Sequence, residues 1–497
     1  MSLLREHPLG EPVPDTVHAV CVSLPKMADV IGYEERHPET MAAVKFGYPR
    51  FVFHDYVVKA ANLAAKRHDV VGRAVYAVTS AAAAWALAEY VSADSHAILP
   101  EADFVMVHFP DTPEVRKQAK AFLQHTGGSI SSRQAEDYLH AADHNFPIQE
   151  EDSFAGDEEA HVLGALRQYI DSKHLYIANC GMNAFYATIR AVSEMQRPRG
   201  KTLYLQLGWL YLDTQKVLSE LLQSGDEVIV QLDVFDLEAI DQIFEEHGDK
   251  LAAVVTELPT NPLVQTPDFE HLSALCQKYD TVRIFDPSVA GIANVDALPF
   301  CDVLVTSLTK YAASQADVMI GAVAVNEGSV FADELAPAIR RLVEPPYPRD
   351  LARLAAQIDE MPQVVAQQNE NAAKVVEYLE AHPAVGKVFH PKKSDSAKHF
   401  SELARTDASL GCIVTFELEK PLVDFYDKST VVKGPSFGTD YTMMCPFLYL
   451  AHYDLVSNDF GRAYLKERGL NPELIRLSIG TEPFEEIQAA LEAGLSD

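Results

Sequence analysis

The chain has no uninterrupted apolar run of the roughly 18 residues that would span a membrane, and its first residues, MSLLREHPLGEPVPD, show no basic start followed by an apolar stretch. No membrane partner and no secretory signal are expected, and a cytoplasmic location is. Positive charge is scarce: 41 Lys and Arg stand against 72 Asp and Glu, a formal net charge of −31. A surface of that sign repels a phosphate backbone, which argues against nucleic acid as a partner. It also means that any anionic cofactor must be held by focused positive groups, because the overall field is unhelpful. Cysteine is sparse as well. The six, at 21, 180, 276, 301, 412 and 445, form no CxxC and no Cys/His cluster of zinc spacing. Free, mostly buried thiols are expected, and no metal site.

What is present is a large soluble core. The 497 residues are 48% hydrophobic and 23% charged, enough for two or three domains. Residues 1–60, rich in Pro, His and aromatics, read as an irregular arm with short strands. Residues 61–145 mix helical runs (AANLAAKR, SAAAAWALAEYV, PEVRKQAKAFLQH) with the apolar run DFVMVHF, a small α/β segment inserted after the arm. Residues 146–160 are acidic and polar and read as a linker or exposed loop. From 161, short apolar runs alternate with helical stretches: HLYIA, KTLYLQL, DEVIVQL, LAAVVTEL, TVRIFD, DVLVTS and GAVAVN. That alternation predicts an α/β domain over 161–345 with a mostly parallel central sheet and helices on both faces. A long helix is predicted at 350–382. GCIVTFEL and LIRLSIG as strands, with PFEEIQAALEAGL as a closing helix, make 346–497 a smaller α+β C-terminal domain.

Ligands of such sheets bind at the carboxyl ends of the strands, so the polar residues there are the candidates. The run DVLVTSLTK ends in Ser307, Thr309 and Lys310. A lysine in that place is either a solvated strand end or an amine that forms a Schiff base with a carbonyl cofactor, provided burial or nearby positive charge lowers its pKa. Ser307 and Thr309 could donate to a phosphate. TVRIFD ends in Asp286, either a loop cap or the partner of a protonated ring nitrogen in such a cofactor. LAAVVTEL runs into Pro259-Thr260-Asn261-Pro262, a plain turn or a stiff loop that offers the Asn261 amide to a ring oxygen. HLYIAN runs through Cys180 into Gly181, Met182 and a helix, the strand-glycine-helix arrangement that suits an anion.

These segments together resemble the cystathionine γ-synthase-like branch of the pyridoxal-phosphate (PLP) trans-sulfuration enzymes, the Cys/Met metabolism family of fold type I. The resemblance runs in order from about residue 17 to the C-terminus and is closest to the long fungal-type form. Its carriers are SLP, GYPRF, AKAFLQHTGGSISSRQAE, YLDTQKVL, the Glu-x-Pro-x-Asn-Pro loop, SLTK, KGPSFGT, the CP and LAHY segments, and IRLSIG. It implies that Lys310 holds PLP covalently and is the catalytic base. Asp286 is to pair with the ring nitrogen and Asn261 to touch the ring hydroxyl. Gly181, Met182, Ser307 and Thr309 are to hold the phosphate, with Ser288 supplying a hydroxyl near Asp286. Tyr211 is to stack on the ring and help in proton transfer. Arg476 is to clamp the substrate carboxylate, with Ser436 near lysine and substrate. Tyr48 and Arg50 are to reach the phosphate of a neighbouring subunit, which makes the protein a homodimer or homotetramer with shared sites. Cys180 stands where serine is common, Pro287-Ser288 where Asn-Thr is usual, and Ala312-Ala313 in place of a glycine pair.

The activity implied is γ-replacement on an O-acylated homoserine with a thiol such as cysteine, a step of methionine biosynthesis. Elimination by a lyase and replacement with another nucleophile use the same cofactor residues, so the motifs leave them open. A non-catalytic relative that keeps the fold for interaction is disfavoured by the joint presence of Lys310, Asp286, Tyr211 and Arg476.

Overall fold

The structure, a computed structural model, describes residues 3–48, 52–393 and 395–496. The arm carries a two-residue antiparallel pair, β1 (Pro12–Val13) and β2 (Cys21–Val22). It also holds helices at Met27–Glu34 and Pro38–Ala43, and the first turns of Asp55–Arg67, where only irregular chain with strands was expected.

The inserted unit is an antiparallel sheet of three strands, β3 (Arg73–Val78), β4 (Ala97–Pro100) and β5 (Val105–Pro110), in the order β3-β5-β4. Four helices surround it, Asp55–Arg67, Ala81–Tyr90, Pro113–Thr126 and Ser132–Ala142. Their starts follow from local chemistry. Ser80, Thr112 and Ser131 each accept a backbone N–H of the first turn, and Pro113 follows Thr112 where its missing N–H costs nothing. Gly127 ends the third of these helices at φ 68, a conformation glycine adopts without strain.

The central sheet has seven strands: β6 (Leu175–Ala178), β7 (Leu203–Leu207), β8 (Glu227–Gln231), β9 (Leu251–Glu257), β10 (Val282–Asp286), β11 (Val303–Ser307) and β12 (Gly321–Val325). Their order is β6-β12-β11-β10-β9-β7-β8, and β12 alone runs against the rest. All seven are among the runs read from the sequence. β9 and β12 are buried at every residue, as a sheet covered on both faces requires.

One apolar core joins one face of this sheet to the arm and the C-terminal part, through residues such as Leu24, Leu205, Phe285 and Phe416. A second joins the other face to the helix Gly181–Gln196 and to the inserted unit, through Leu87, Phe109 and Phe122. Burying each of these side chains contributes about 1.5–3 kcal/mol, so the insertion is packed onto the sheet and not merely tethered.

The C-terminal sheet contains β13 (Val385–Phe389), β14 (Ile413–Leu418), β15 (Val432–Lys433), β16 (Met443–Pro446) and β17 (Ile475–Ser478), in the order β13-β14-β17-β16-β15. The helix predicted over 350–382 is two, Pro348–Gln357 and Met361–Ala381, joined by a 3-10 turn at Ile358–Glu360. Pro362 gives the reason, since it has no N–H for a carbonyl four residues back and crowds the residue before it. The 146–160 segment is a largely exposed loop up to the helix that starts at Glu158, as expected, and is pinned at one point, where Glu151 meets Arg133 at 2.6 Å and Arg349 at 3.2 Å.

Candidate active site

Sheet register brings the candidates together. In the parallel pair β9–β10, Asp286 lies opposite Glu257, so two carboxylates sit side by side at the carboxyl edge. In the neighbouring pairs Ser307 lies opposite Gly321, and Gly321 opposite Ala178. This sets Cys180 and Gly181 beside Ser307. Gly321 is required there, because a Cβ would come within 2.6 Å of the Gly181 nitrogen. At the edge opens a cavity of about 400 Å³ whose walls include Lys310, Asp286, Tyr211, Asn261, Arg476 and Gly181, a size that suits a cofactor with a small substrate.

Lys310 is half-buried at the cavity wall. Its Nζ donates to the Tyr48 hydroxyl and, at 2.9 Å, to the Ser436 hydroxyl, and it lies 4.5 Å from the Tyr48 ring centre and 4.8 Å from that of Phe437. Burial, then the nearby Arg476 guanidinium, push the amine down to about 7. The residue after it, Tyr311, sits at φ 60, unusual for a bulky side chain. It is held by Tyr311 N–H to Gly438 O at 2.8 Å and Tyr311 Oη to Val289 O at 2.6 Å. Gly438, at φ 72, lets the KGPSFG loop press onto Lys310, since a Cβ would meet the Tyr311 nitrogen at 2.8 Å.

Asp286 receives the Ser288 N–H at 2.8 Å, yet burial pushes its carboxyl up to about 6. Burial, and then Asp286 itself, hold Glu257 well above the usual carboxylate range. Two adjoining carboxyls removed from water cannot both ionise readily. Glu257 Oε1 accepts the Tyr211 backbone N–H at 2.5 Å, while Oε2 is buried without a hydrogen-bond partner. Arg476, centred in β17, donates to the carbonyls of Pro435 at 3.0 Å and Ser436 at 3.1 Å and to Asn261 Oδ1 at 3.3 Å. It lies between the rings of Phe437 and Phe447, 5.2 and 5.0 Å from their centres. Among the described residues no carboxylate forms an ion pair with it.

Three of the expected site residues have partners within the chain. Thr309 donates to Ile320 O at 3.4 Å and accepts from Ile320 N at 3.2 Å, so its hydroxyl ties down the lysine loop where a phosphate contact was expected. The Ser288 hydroxyl accepts the Ser307 N–H at 2.8 Å, which makes it a brace between Asp286 and Ser307. Tyr48 meets Lys310 of its own chain; Arg50, expected with it at a neighbour's phosphate, lies outside the described residues. Cys180 opens the helix Gly181–Gln196 without a capping oxygen; only its thiol lies by the Met182 and Asn183 N–H groups, a weak acceptor that an anion would outcompete. Sequence reasoning gave no role to Glu257, Gly321, Asp213 or His125. Glu257 ended a strand as Asp286 did and could have been found on that signal; His125 carried none.

Comparison with known proteins agrees with this geometry. Residues 160–496 match the family described as Cys/Met metabolism PLP-dependent enzyme. The chain is 36% identical over 476 residues, 95% of each chain, to the L-2-amino-4-chloropent-4-enoate dechlorinase/desaturase of Streptantibioticus cattleyicolor. It is 26% identical to the cystathionine gamma-synthase of Neurospora crassa, covering 96% of each chain. The solved structure of cystathionine gamma synthase from Xanthomonas oryzae pv. oryzae in complex with cystathionine shares the fold at a TM-score of 0.59 and 21% identity, over 70% of this chain and 92% of that one. Fold and site thus define a PLP-dependent enzyme of fold type I. The chain belongs to the Cys/Met metabolism PLP-dependent enzyme family.

The residues present fit that cofactor. The Asp286 carboxyl, raised by burial with no cation paired to it among the described residues, beside the partnerless Glu257 Oε2, is a place for a cationic ring N–H. A buried amine lowered to about 7 is one that can attack a carbonyl near neutral pH.

Proposed function

We propose that this enzyme acts at the γ carbon of an α-amino acid that carries a leaving group there. The observation that supports it is the shared cavity lined by an amine, two neighbouring carboxyl groups and a guanidinium that forms no ion pair among the described residues. Lys310 would hold PLP, with Asp286 at the ring nitrogen, Asn261 at the ring hydroxyl, and Gly181, Met182 and Ser307 at the phosphate. The Asn261 oxygen is taken by Arg476, so its NH₂ is what it offers. When bound, PLP supplies an electron sink that acidifies the α and then the β C–H bonds of the amino acid joined to it.

The chain's own residues do the rest. Arg476 would grip the α-carboxylate with both guanidinium nitrogens, its aromatic flanks excluding water. Lys310 Nζ, lowered towards neutrality so that an uncharged amine is accessible there, would take the α proton and return one further along the substrate. Tyr48 and Ser436, hydrogen-bonded to each other at 2.7 Å, hold that amine in place and can pass a proton to it. Tyr211 is to lie over the ring. In the first reading the γ carbon is then taken by a thiol, O-acylated homoserine and cysteine giving cystathionine. The assembly taken with it is a homodimer or homotetramer in the cytoplasm.

A second reading, departure of the γ group without replacement, is favoured by two observations. A relative 36% identical along nearly the whole chain is a dechlorinase/desaturase. Arg133, the other guanidinium at the cavity wall, already has Glu151, Asp317 and Asp350 within 2.6, 3.7 and 3.1 Å. The described residues therefore leave one guanidinium, Arg476, for one carboxylate, not two. Mass spectrometry of the products from O-acetyl-, O-succinyl- and O-phosphohomoserine and from a 4-chlorinated amino acid, each with and without cysteine, decides between them. Cystathionine formed only with cysteine supports replacement. The same desaturated or deaminated product with and without cysteine supports elimination. No turnover of any of them would contradict action at the γ carbon.

A further inference from the structure

We propose that His125 and Asp213 are positioning residues for Tyr211, and that through them the inserted unit takes part in the active site of its own chain. The inference rests on the reading of Tyr211 as the residue over the cofactor ring. Asp213 follows Tyr211 by two positions in the helix Leu212–Glu220 and is 2% exposed. Its Oδ2 accepts the Tyr211 hydroxyl at 2.7 Å. Its Oδ1 accepts Gln124 Nε2 at 2.8 Å and faces His125 Nδ1 at 3.0 Å. Gln124 and His125 come from the last turn of Pro113–Thr126, a helix of the insertion, and His125 is 5% exposed.

The chain of contacts is directional. A carboxylate taken out of water needs donors on both oxygens, and Gln124 with His125 supplies them on one. The other oxygen takes the proton of a phenol whose residue lines the cavity. A phenol that donates to a carboxylate turns its lone pairs away from that bond, so Tyr211 is left as an acceptor with its ring plane fixed. The same helix end is fixed on the sheet nearby: Asn179 Nδ2 donates to Gly127 O at 2.8 Å, and Asn183 Nδ2 to Thr126 O at 3.3 Å. The helix that aims Tyr211 is thereby anchored to the strand end that leads into Gly181.

The test is a double-mutant cycle on the PLP dissociation constant, read by visible absorbance when the full-length apoenzyme is titrated with PLP. It is accompanied by the rate of α-hydrogen exchange of O-acetylhomoserine in heavy water and by the unfolding midpoint. His125→Ala and Tyr211→Phe should each raise the dissociation constant about three- to tenfold, what one hydrogen bond contributes. The double variant should be no worse than Tyr211→Phe alone. His125→Gln, which keeps a donor, should restore most of the loss. Losses that multiply in the double variant, with Tyr211→Phe itself impaired, would overturn the coupling while leaving Tyr211 its role. Equal loss in His125→Ala and His125→Gln, matched by equal drops in unfolding midpoint, would mark His125 as structural only. An unimpaired Tyr211→Phe would overturn this inference, and an unimpaired Tyr211→Ala would remove the reading of Tyr211 beneath it.

Discussion

Asp286 shows how one buried group sets both the reactivity and the cost of this site. An aspartate titrates near 3.8 when the chain is unfolded, and burial moves it to about 6 in the folded protein. The folded state therefore binds more protons than the unfolded one between those values, and stability falls as pH rises through that window. Below it the group contributes nothing; above it the full cost of the buried charge is present until a cation arrives. Asp286→Asn removes that cost. Its apoenzyme should be more stable than the parent above about pH 6 and converge with it near pH 4, in unfolding midpoints followed across pH. A difference independent of pH would place the effect elsewhere. Lys310 runs the other way. Its folded value of about 7 lies below the 10.5 of an exposed lysine, so its burial costs most below pH 7 and is relieved as pH rises towards 10.5. Both groups were legible as strand-end residues of the right chemistry. Their raised and lowered values were not, because burial is the main cause of both and is set by segments that pack together from far apart in sequence, with Arg476 adding to it at Lys310.

At the scale of elements, the inserted unit is joined to the rest by charge as well as by apolar packing. Arg133, 1% exposed, donates to Glu151, Asp350 and the carbonyl of Asp317, and Arg353 completes the group on Asp317 at 2.8 Å. Arg133→Met would leave the buried Asp350 carboxylate without its cation, while Glu151 keeps Arg349 and Asp317 keeps Arg353; removing one partner of such a buried group costs about 3–5 kcal/mol. Urea unfolding should show that loss, with the midpoint lowered and the slope unchanged; a loss below about 1 kcal/mol would put the group in the class of exposed ion pairs. The strands of the central sheet could be read from the sequence because burial on both faces writes them as unbroken apolar runs, LAAVVTE and GAVAV among them. β15 has two residues and β1 and β2 two each, too short to carry a period. The reversal of β12 leaves no mark in composition, and Arg133 finding Asp350 is a matter of tertiary packing alone.

At the scale of the whole molecule, three parts of the chain converge on one cavity. The central sheet brings the lysine and the carboxylates, the C-terminal sheet brings Arg476, and the arm brings Tyr48. Family and fold were legible through the resemblance; that the insertion also walls the cavity, through Ser80, Gln124, Gly127 and Arg133, was not readable, since nothing in its own pattern points at residues beyond it. The account stands on an amine at position 310 meeting the cofactor's aldehyde, with Asp286 at the other end of the ring. The direct measurement is borohydride reduction of the PLP-loaded enzyme followed by peptide mass mapping. The account predicts a stable pyridoxyl adduct on the peptide containing Lys310 and none in Lys310→Ala. An adduct on a different lysine of the parent enzyme, or a parent enzyme that takes up no PLP, would contradict it.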